Sequence, residues 1–166
     1  MSKKIAVITT GGTIAGVSIN STNYGSPYEV KLSGEQVLNK FPDLKDIADI
    51  ELCELGIIDS SQMVPNDCSK IAETIFPYLL RDNIAGIVLT HGTDTLEYTS
   101  MALALMLQNL NKPIIITGAM HPIDQDENHV RKHLEDSIRA AISEEIKDVV
   151  VCFSADKHST YTNLYR

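Results

Sequence analysis

Residues 4–16 read KIAVITTGGTIAG. An apolar, largely β-branched run over residues 5–9 stops abruptly at Thr10-Gly11-Gly12-Thr13. Runs of this kind form strands buried on both faces, as in parallel sheets covered by helices. The same pattern returns at residues 50–55, 85–90, 113–117 and 149–153. Helical patterns lie between most of them. Residues 34–40 carry a weak one. Residues 67–81 place Ile71, Ile75, Tyr78 and Leu79 on one face, with Pro77 expected to kink that helix or end it early. Residues 96–110 are apolar nearly all round, and Val130, Leu134, Ile138 and Ile142 repeat every four residues. Strands alternating with helices across short connections predict a mostly parallel sheet with helices on both faces, a Rossmann-like three-layer α/β fold. Residues 11–33, rich in Gly, Ser, Thr and Asn, are expected to form one long irregular loop, and a loop of that length is usually a lid or binding loop.

Bulk properties exclude several functions. A chain of 166 residues buries about two-thirds of its unfolded surface and needs no staples. A net charge of −8, with no basic block, argues against nucleic acid or an anionic membrane as partner. The apolar run before Thr9 is too short for a signal peptide, and the run from Met101 to Leu107 is too short to span a bilayer. Cys53, Cys68 and Cys152 are odd in number and lack metal spacing, as reduced thiols of a cytoplasmic protein would.

In a parallel sheet, ligands bind beyond the carboxyl ends of the strands near the switch in strand order. Here those ends carry Thr10 to Thr13, Asp59-Ser60-Ser61, His91 to Thr95 and Thr117 to Met120. Such groups suit hydrogen bonding to a small polar molecule. Neither GxGxxG nor GxxxxGK[ST] occurs, which argues against a dinucleotide or nucleoside triphosphate, and no cofactor is expected. Each cluster also has a plain structural reading. Gly11-Gly12 can be a tight turn, Asp94 with Glu97 a helix-capping pair, and Asp59-Ser60-Ser61 simple turn chemistry. His91 reads as a hydrogen-bonded structural residue, and His158 lies in an unpatterned tail. His129 and His133, four apart with Arg131 and Lys132 between them, read as a solvated helix face, so no metal is assigned.

Taken together, the clusters resemble a known family. TTGGTIAG and LTHGTDTLEYTS are similar to the two threonine signatures of bacterial-type L-asparaginases. GIIDSSQMVPNDCSKIAETI resembles the family's substrate loop and following helix, and NKPIIITGAMHP its fourth strand and turn. The resemblance covers residues 4–153, and the DSS-x-M-x-P form is nearer to the cytoplasmic, type I enzymes. It implies that residues 1–166 are the N-terminal catalytic α/β domain, shortened at its C-terminal end and without the family's smaller second domain. It implies an amidohydrolase that converts asparagine to aspartate and ammonia, with glutamine a weaker substrate, in a homo-oligomer.

The resemblance also implies roles. Thr13 stands at the nucleophile, with a lid tyrosine that maps best onto Tyr28 and second onto Tyr24. Thr93 and Asp94 form the second catalytic pair. Asp59, Ser60 and Ser61 hold the amino-acid end of the substrate, Ser60 taking its α-carboxylate and Asp94 its α-ammonium. Gly12, lacking Cβ, lets the backbone approach the ligand and offer N–H groups to an oxyanion. Two courses stay open: acyl-enzyme formation on Thr13, or attack by water activated by Thr93.

The chain departs from the family pattern in three places. Asp124 to Asn128 lacks the expected glycine, and His133 stands where an asparagine precedes Leu134. The relay lysine is not reached before Arg166, and Lys157 is too close to the fifth strand to replace it. Residues lent by a neighbouring subunit's second domain are missing, so the isolated chain is expected to turn over slowly. A non-catalytic amino-acid-binding or regulatory domain is the alternative. A subunit of a tRNA-dependent amidotransferase is set aside because no RNA-facing segment is appended.

Overall fold

The structure, a computed structural model, describes residues 3–20, 23, 25–155 and 161–166. Tyr24, Lys157 and His158 lie outside these residues. Strand β1 is Lys4–Thr9, and an antiparallel hairpin follows, β2 (Gly16–Ser18) and β3 (Tyr28–Val30). Then come α1 (Gly34–Asn39), β4 (Asp49–Glu54), α2 (Pro65–Leu79), β5 (Ile84–Thr90) and α3 (Leu96–Met106). The rest is β6 (Ile114–Thr117), α4 (Glu127–Ala141), β7 (Val149–Ser154) and β8 (Thr162–Tyr165).

The main sheet has six strands in the order β4-β1-β5-β6-β7-β8. All its pairings are parallel except β7 with β8. Successive strand residues point to opposite faces, so a doubly covered strand must be apolar throughout. Val7, Val88, Ile115 and Val150 accordingly face α1 and α4, meeting Val37, Leu38, Val130, Leu134 and Ile138. Ile8, Ile87, Leu89, Ile114 and Ile116 face α2 and α3, meeting Ile71, Ile75, Leu96 and Leu103. The three-layer α/β expectation therefore holds. The chain leaves β1 toward β4 on one side and returns to β5 on the other, so the switch in strand order lies between β1 and β5.

Several local expectations are corrected. Residues 11–33 are not one irregular loop, since Thr13–Ala15 forms a 3-10 turn and β2 pairs with β3. Three-residue strands carry too little periodicity to be seen in the sequence. α2 runs two residues past Pro77 to Leu79, short of the 81 that its pattern suggested, with Pro77 on its exposed side. There the carbonyl left without a helical partner can face water. α3 stops at Met106, and Asn109 then adopts φ 58°. Serine and glutamine three apart start α1 as a capping box: Ser33 Oγ accepts from Gln36 N–H at 3.1 Å, and Ser33 N–H donates to Gln36 Oε1 at 2.9 Å. The outer side of α3 leaves Tyr98, Met101 and Leu105 each about two-thirds exposed, at 68%, 67% and 68%.

Candidate active site

The switch crevice is closed at its base by Thr10, whose N–H and hydroxyl both donate to the Thr90 carbonyl, at 3.2 and 2.9 Å. Two glycines with positive φ then turn the chain, Gly11 at 85° and Gly12 at 83°. A Cβ on Gly12 would lie 2.8 Å from both Cα and N of Gly92. Glycine is thus required where the ends of β1 and β5 touch, a contact between backbones that the expected approach to a ligand did not foresee. Gly92 in turn leaves room for Ser60, whose Oγ would lie 2.3 Å from a Cβ built there.

Beyond Gly12, Thr13 is buried at 6% exposure, and its Oγ1 lies 2.8 Å from the Tyr28 hydroxyl. The hairpin brings Tyr28 there by pairing it with Ser18, and the Tyr28 ring covers Gly16, where a Cβ would come within 2.7 Å of it. The hairpin is tied down from outside. Ser18 N–H and Oγ donate to Asp124 at 2.9 and 3.2 Å, and Gln125 Nε2 donates to the Ser26 carbonyl at 3.3 Å.

Ser60 is buried beside the β5 end. Its Oγ accepts from Asp94 N–H at 3.3 Å, and its carbonyl accepts from the Thr95 hydroxyl at 2.9 Å. Asp59 is exposed and accepts from Ser61 N–H at 3.0 Å and Ser61 Oγ at 2.7 Å, which holds its carboxyl below the usual range. Ser60 and Asp94 are therefore together, while Asp59 and Ser61 pair with each other. Neither the Thr93–Thr95 turn nor α3 has a side-chain cap, so the capping reading of Asp94 is corrected, and the Asp94 side chain is exposed.

Two residues behind these turns escaped the sequence. Met63 Sδ sits 3.2 Å from His91 Nε2, accepts from the Thr99 hydroxyl at 3.3 Å and lies 3.7 Å from the Thr95 hydroxyl oxygen, whose hydrogen goes to the Ser60 carbonyl. A thioether collecting these groups leaves no sequence signal, since Met63 reads as an apolar loop residue. His91 is fully buried, bonded to the Gly92 carbonyl, and its pKa is lowered by burial. The second is His133. The solvated-face reading of His129 and His133 is wrong: they are 7% and 0% exposed, because this side of α4 turns toward the sheet and Arg131 bonds outward to Asp43 and Glu135. Among the described residues no cluster of His, Cys, Asp or Glu could hold a metal ion. A cavity of about 200 Å³ lies on the α1 side of the turn at residues 11–15, lined by Gly11 and Thr90 and walled by Val7, Ile14, Leu32, Val37 and Leu134. Thr13, Ser60, Thr93 and Asp94 are not part of it.

Fold and crevice define a doubly wound α/β domain whose strand ends present hydroxyls and a carboxylate at the switch in strand order. Comparison narrows the class, for the family profile described as "Asparaginase, N-terminal" matches residues 4–163. The chain belongs to the family of asparaginase N-terminal domains. Among solved structures it is similar to a probable cytoplasmic L-asparaginase from Campylobacter jejuni, with a TM-score of 0.83 and 29% identity over 97% of this chain and 53% of that one. Among sequence relatives, a subunit of the glutamyl-tRNA(Gln) amidotransferase of Methanobrevibacter smithii is 35% identical over 164 residues, 99% of this chain and 36% of the relative. A glutaminase-asparaginase of Pseudomonas aeruginosa is 35% identical over 118 residues, 71% of this chain and 32% of the relative. The chain thus spans about a third of these relatives and half of the solved neighbour. No helix of the described residues is long and apolar enough to cross a membrane.

Proposed function

We propose that the chain carries the catalytic crevice of a cytoplasmic L-asparaginase, hydrolysing the side-chain amide of asparagine to aspartate and ammonia. The observation that carries this reading is the buried Thr13, its hydroxyl 2.8 Å from Tyr28, one residue beyond the Gly12 that packs against Gly92 at the start of the Thr93–Asp94 turn. Thr13 Oγ forms a bond to the amide carbon, its proton passes by way of the Tyr28 hydroxyl to the amide nitrogen, and the carbon–nitrogen bond breaks to release ammonia and leave an acyl ester on Thr13. Water then hydrolyses the acyl ester and restores Thr13. Asp94, exposed and outside any cap, takes the substrate's ammonium, and Ser60 takes its carboxylate. Backbone N–H groups near Gly12 face the developing oxyanion.

The test is ammonia release from asparagine and glutamine by the wild type and Thr13→Ala, with aspartate binding followed by calorimetry. Loss of turnover with retained binding supports the reading. A Thr13→Ala variant keeping more than about a hundredth of wild-type turnover would refute a nucleophilic Thr13 and favour water activated by Thr93. Binding without turnover in the wild type favours the non-catalytic alternative.

A second reading, set aside from the sequence alone, is restored by the Methanobrevibacter smithii relative: the same crevice would release ammonia for transfer rather than for hydrolysis as such. One methylene separates the two amide substrates and is worth about 1–3 kcal/mol. Preference for glutamine in the same assay would favour the amide-transfer role.

A further inference from the structure

The rings of His121, on the connection from β6 to α4, and of His129 and His133, on α4, form a row, the first pair edge-on and the second tilted. Their centroids lie 5.8 Å apart for His121 and His129 and 4.2 Å apart for His129 and His133. Phe153 of β7 closes the row edge-on, 4.8 Å from His133. The nitrogens bind the connection itself. His133 Nδ1 lies 2.7 Å from the Gly118 carbonyl, and since a carbonyl only accepts, Nδ1 carries the hydrogen. The neutral ring then accepts at Nε2 from the Ser154 hydroxyl, 2.5 Å away at the end of β7. His129 Nε2 accepts from Met120 N–H at 3.4 Å, so it too is free of a proton.

The same connection supports both halves of the crevice. A Cβ on Gly118 would lie 2.6 Å from the His91 carbonyl oxygen and 3.5 Å from Thr93 Cγ2, so Gly118 backs the Thr93 turn directly. Further along, Ile123 N–H donates to the Gly16 carbonyl at 3.3 Å, and Asp124 and Gln125 hold the hairpin that carries Tyr28.

We propose that His129 and His133 are positioning residues: neutral, they hold residues 118–125 and through them the Thr93 turn and the Tyr28 hairpin, and proton uptake by the pair loosens Tyr28 from Thr13. The inference rests on the proposed function only in taking Thr13 and Thr93 as the working groups. A proton on His129 Nε2 would face the Met120 N–H donor, and two imidazolium rings 4.2 Å apart repel. Burial, and then the neighbouring His129, pushes His133 down to about 4, and burial lowers His129 as well. Both rings are therefore neutral near pH 7.

Among the described residues, the ionisable groups around the pair come from several elements. His121 and Asp126 lie on the connection, the latter accepting from His129 N–H at 3.0 Å. Lys132 and Asp136 on α4 pair with each other at 2.6 Å, and Asp136 also accepts from Thr162 of β8. Cys152 lies on β7, and His91 follows β5 behind Gly118. Arg131 is engaged with Asp43 and Glu135. β6 adds no ionisable group.

The experiment labels the protein with fluorotyrosine, assigns Tyr28 by Tyr28→Phe, and follows its fluorine resonance from about pH 8 to about pH 3 beside the imidazole proton signals and far-UV circular dichroism. The Tyr28 resonance is expected to move with the imidazoles of the pair while the far-UV spectrum stays native. The response should vanish in His129→Gln/His133→Gln, whose amides still offer a donor and an acceptor. A Tyr28 response that persists in the double variant assigns the change to carboxylates such as Asp124 and overturns the proposal. So does a response that appears only as the far-UV signal is lost. The wild-type titration decides alone if the double variant does not fold. A chain that releases no ammonia yet shows the coupled response refutes the asparaginase reading and leaves this one standing.

Discussion

Replacing Gly12 with alanine adds one methyl group where two strand ends touch. Gly12 has φ 83° and ψ 178°, a conformation that is almost glycine-only and costs other residues about 1–3 kcal/mol. The new Cβ would also lie 2.8 Å from Cα and N of Gly92 and 3.0 Å from the His91 carbonyl carbon. These are backbone atoms, so no side chain can rotate aside. Relief requires moving the end of β1 or of β5, an overpacking strain of about 1–3 kcal/mol more. The combined loss of about 4 kcal/mol corresponds, for a chain this size, to a melting temperature lower by roughly 8–16 °C. Gly56→Ala separates the two contributions. Its φ is 104°, but no atom lies within 4 Å of a Cβ there, so it bears backbone strain alone. Thermal unfolding of both variants, read by circular dichroism, should rank Gly12→Ala well below Gly56→Ala. Equal melting temperatures, or a Gly12→Ala variant within about 2 °C of wild type, would refute the claim that the Gly12–Gly92 contact sets the crevice.

Other outcomes follow from the same geometry. Asp94→Asn should weaken aspartate binding by about 10- to 100-fold, the worth of a charge-assisted hydrogen bond, without lowering the melting temperature, because no helix cap uses that carboxylate. Calorimetry and thermal unfolding on one preparation check both halves. Stability should fall as pH drops from 6.5 toward 4: the folded chain holds His133 at about 4 against 6.5 in the open chain, so the unfolded state takes up the proton first. That gap is worth about 3 kcal/mol, and a urea midpoint unchanged across this interval would count against the burial of His133. Leu105→Lys, near the C-terminal end of the apolar outer side of α3, should reduce self-association seen by sedimentation while leaving circular dichroism unchanged.

The parallel strands are legible because burial on both faces leaves apolar, β-branched runs, as in Ile5 to Thr9 and Ala85 to Thr90. β2, β3 and β8 are not, since three or four residues with polar members carry no period that distinguishes them from loop. The positions of the strand-end clusters followed from topology, and the pairing of Tyr28 with Thr13 was anticipated only through family resemblance. What the sequence hid is contact between distant segments. Gly12 against Gly92, and Met63 against His91, become visible only when three strand ends are brought side by side. His129 and His133 read as solvated because Arg131 and Lys132 stand between them in sequence, yet a helix turns those neighbours to its other side. Charge next in sequence is a poor guide to charge next in space.

The first strand of the chain lies inside the sheet, between β4 and β5, and this has a consequence during synthesis. Thr10 finds its partner carbonyl at Thr90, 80 residues later. At about 5–20 residues per second, the interval before that partner is made is roughly 4–16 s. Throughout it, one edge of Ile5 to Ile8 has nothing to pair with, and an apolar strand with an open edge is a template for other chains. A nascent chain arrested before β5 should therefore be held by chaperones and cut readily by protease near its N-terminus, and release of β5 from the ribosome should end both together.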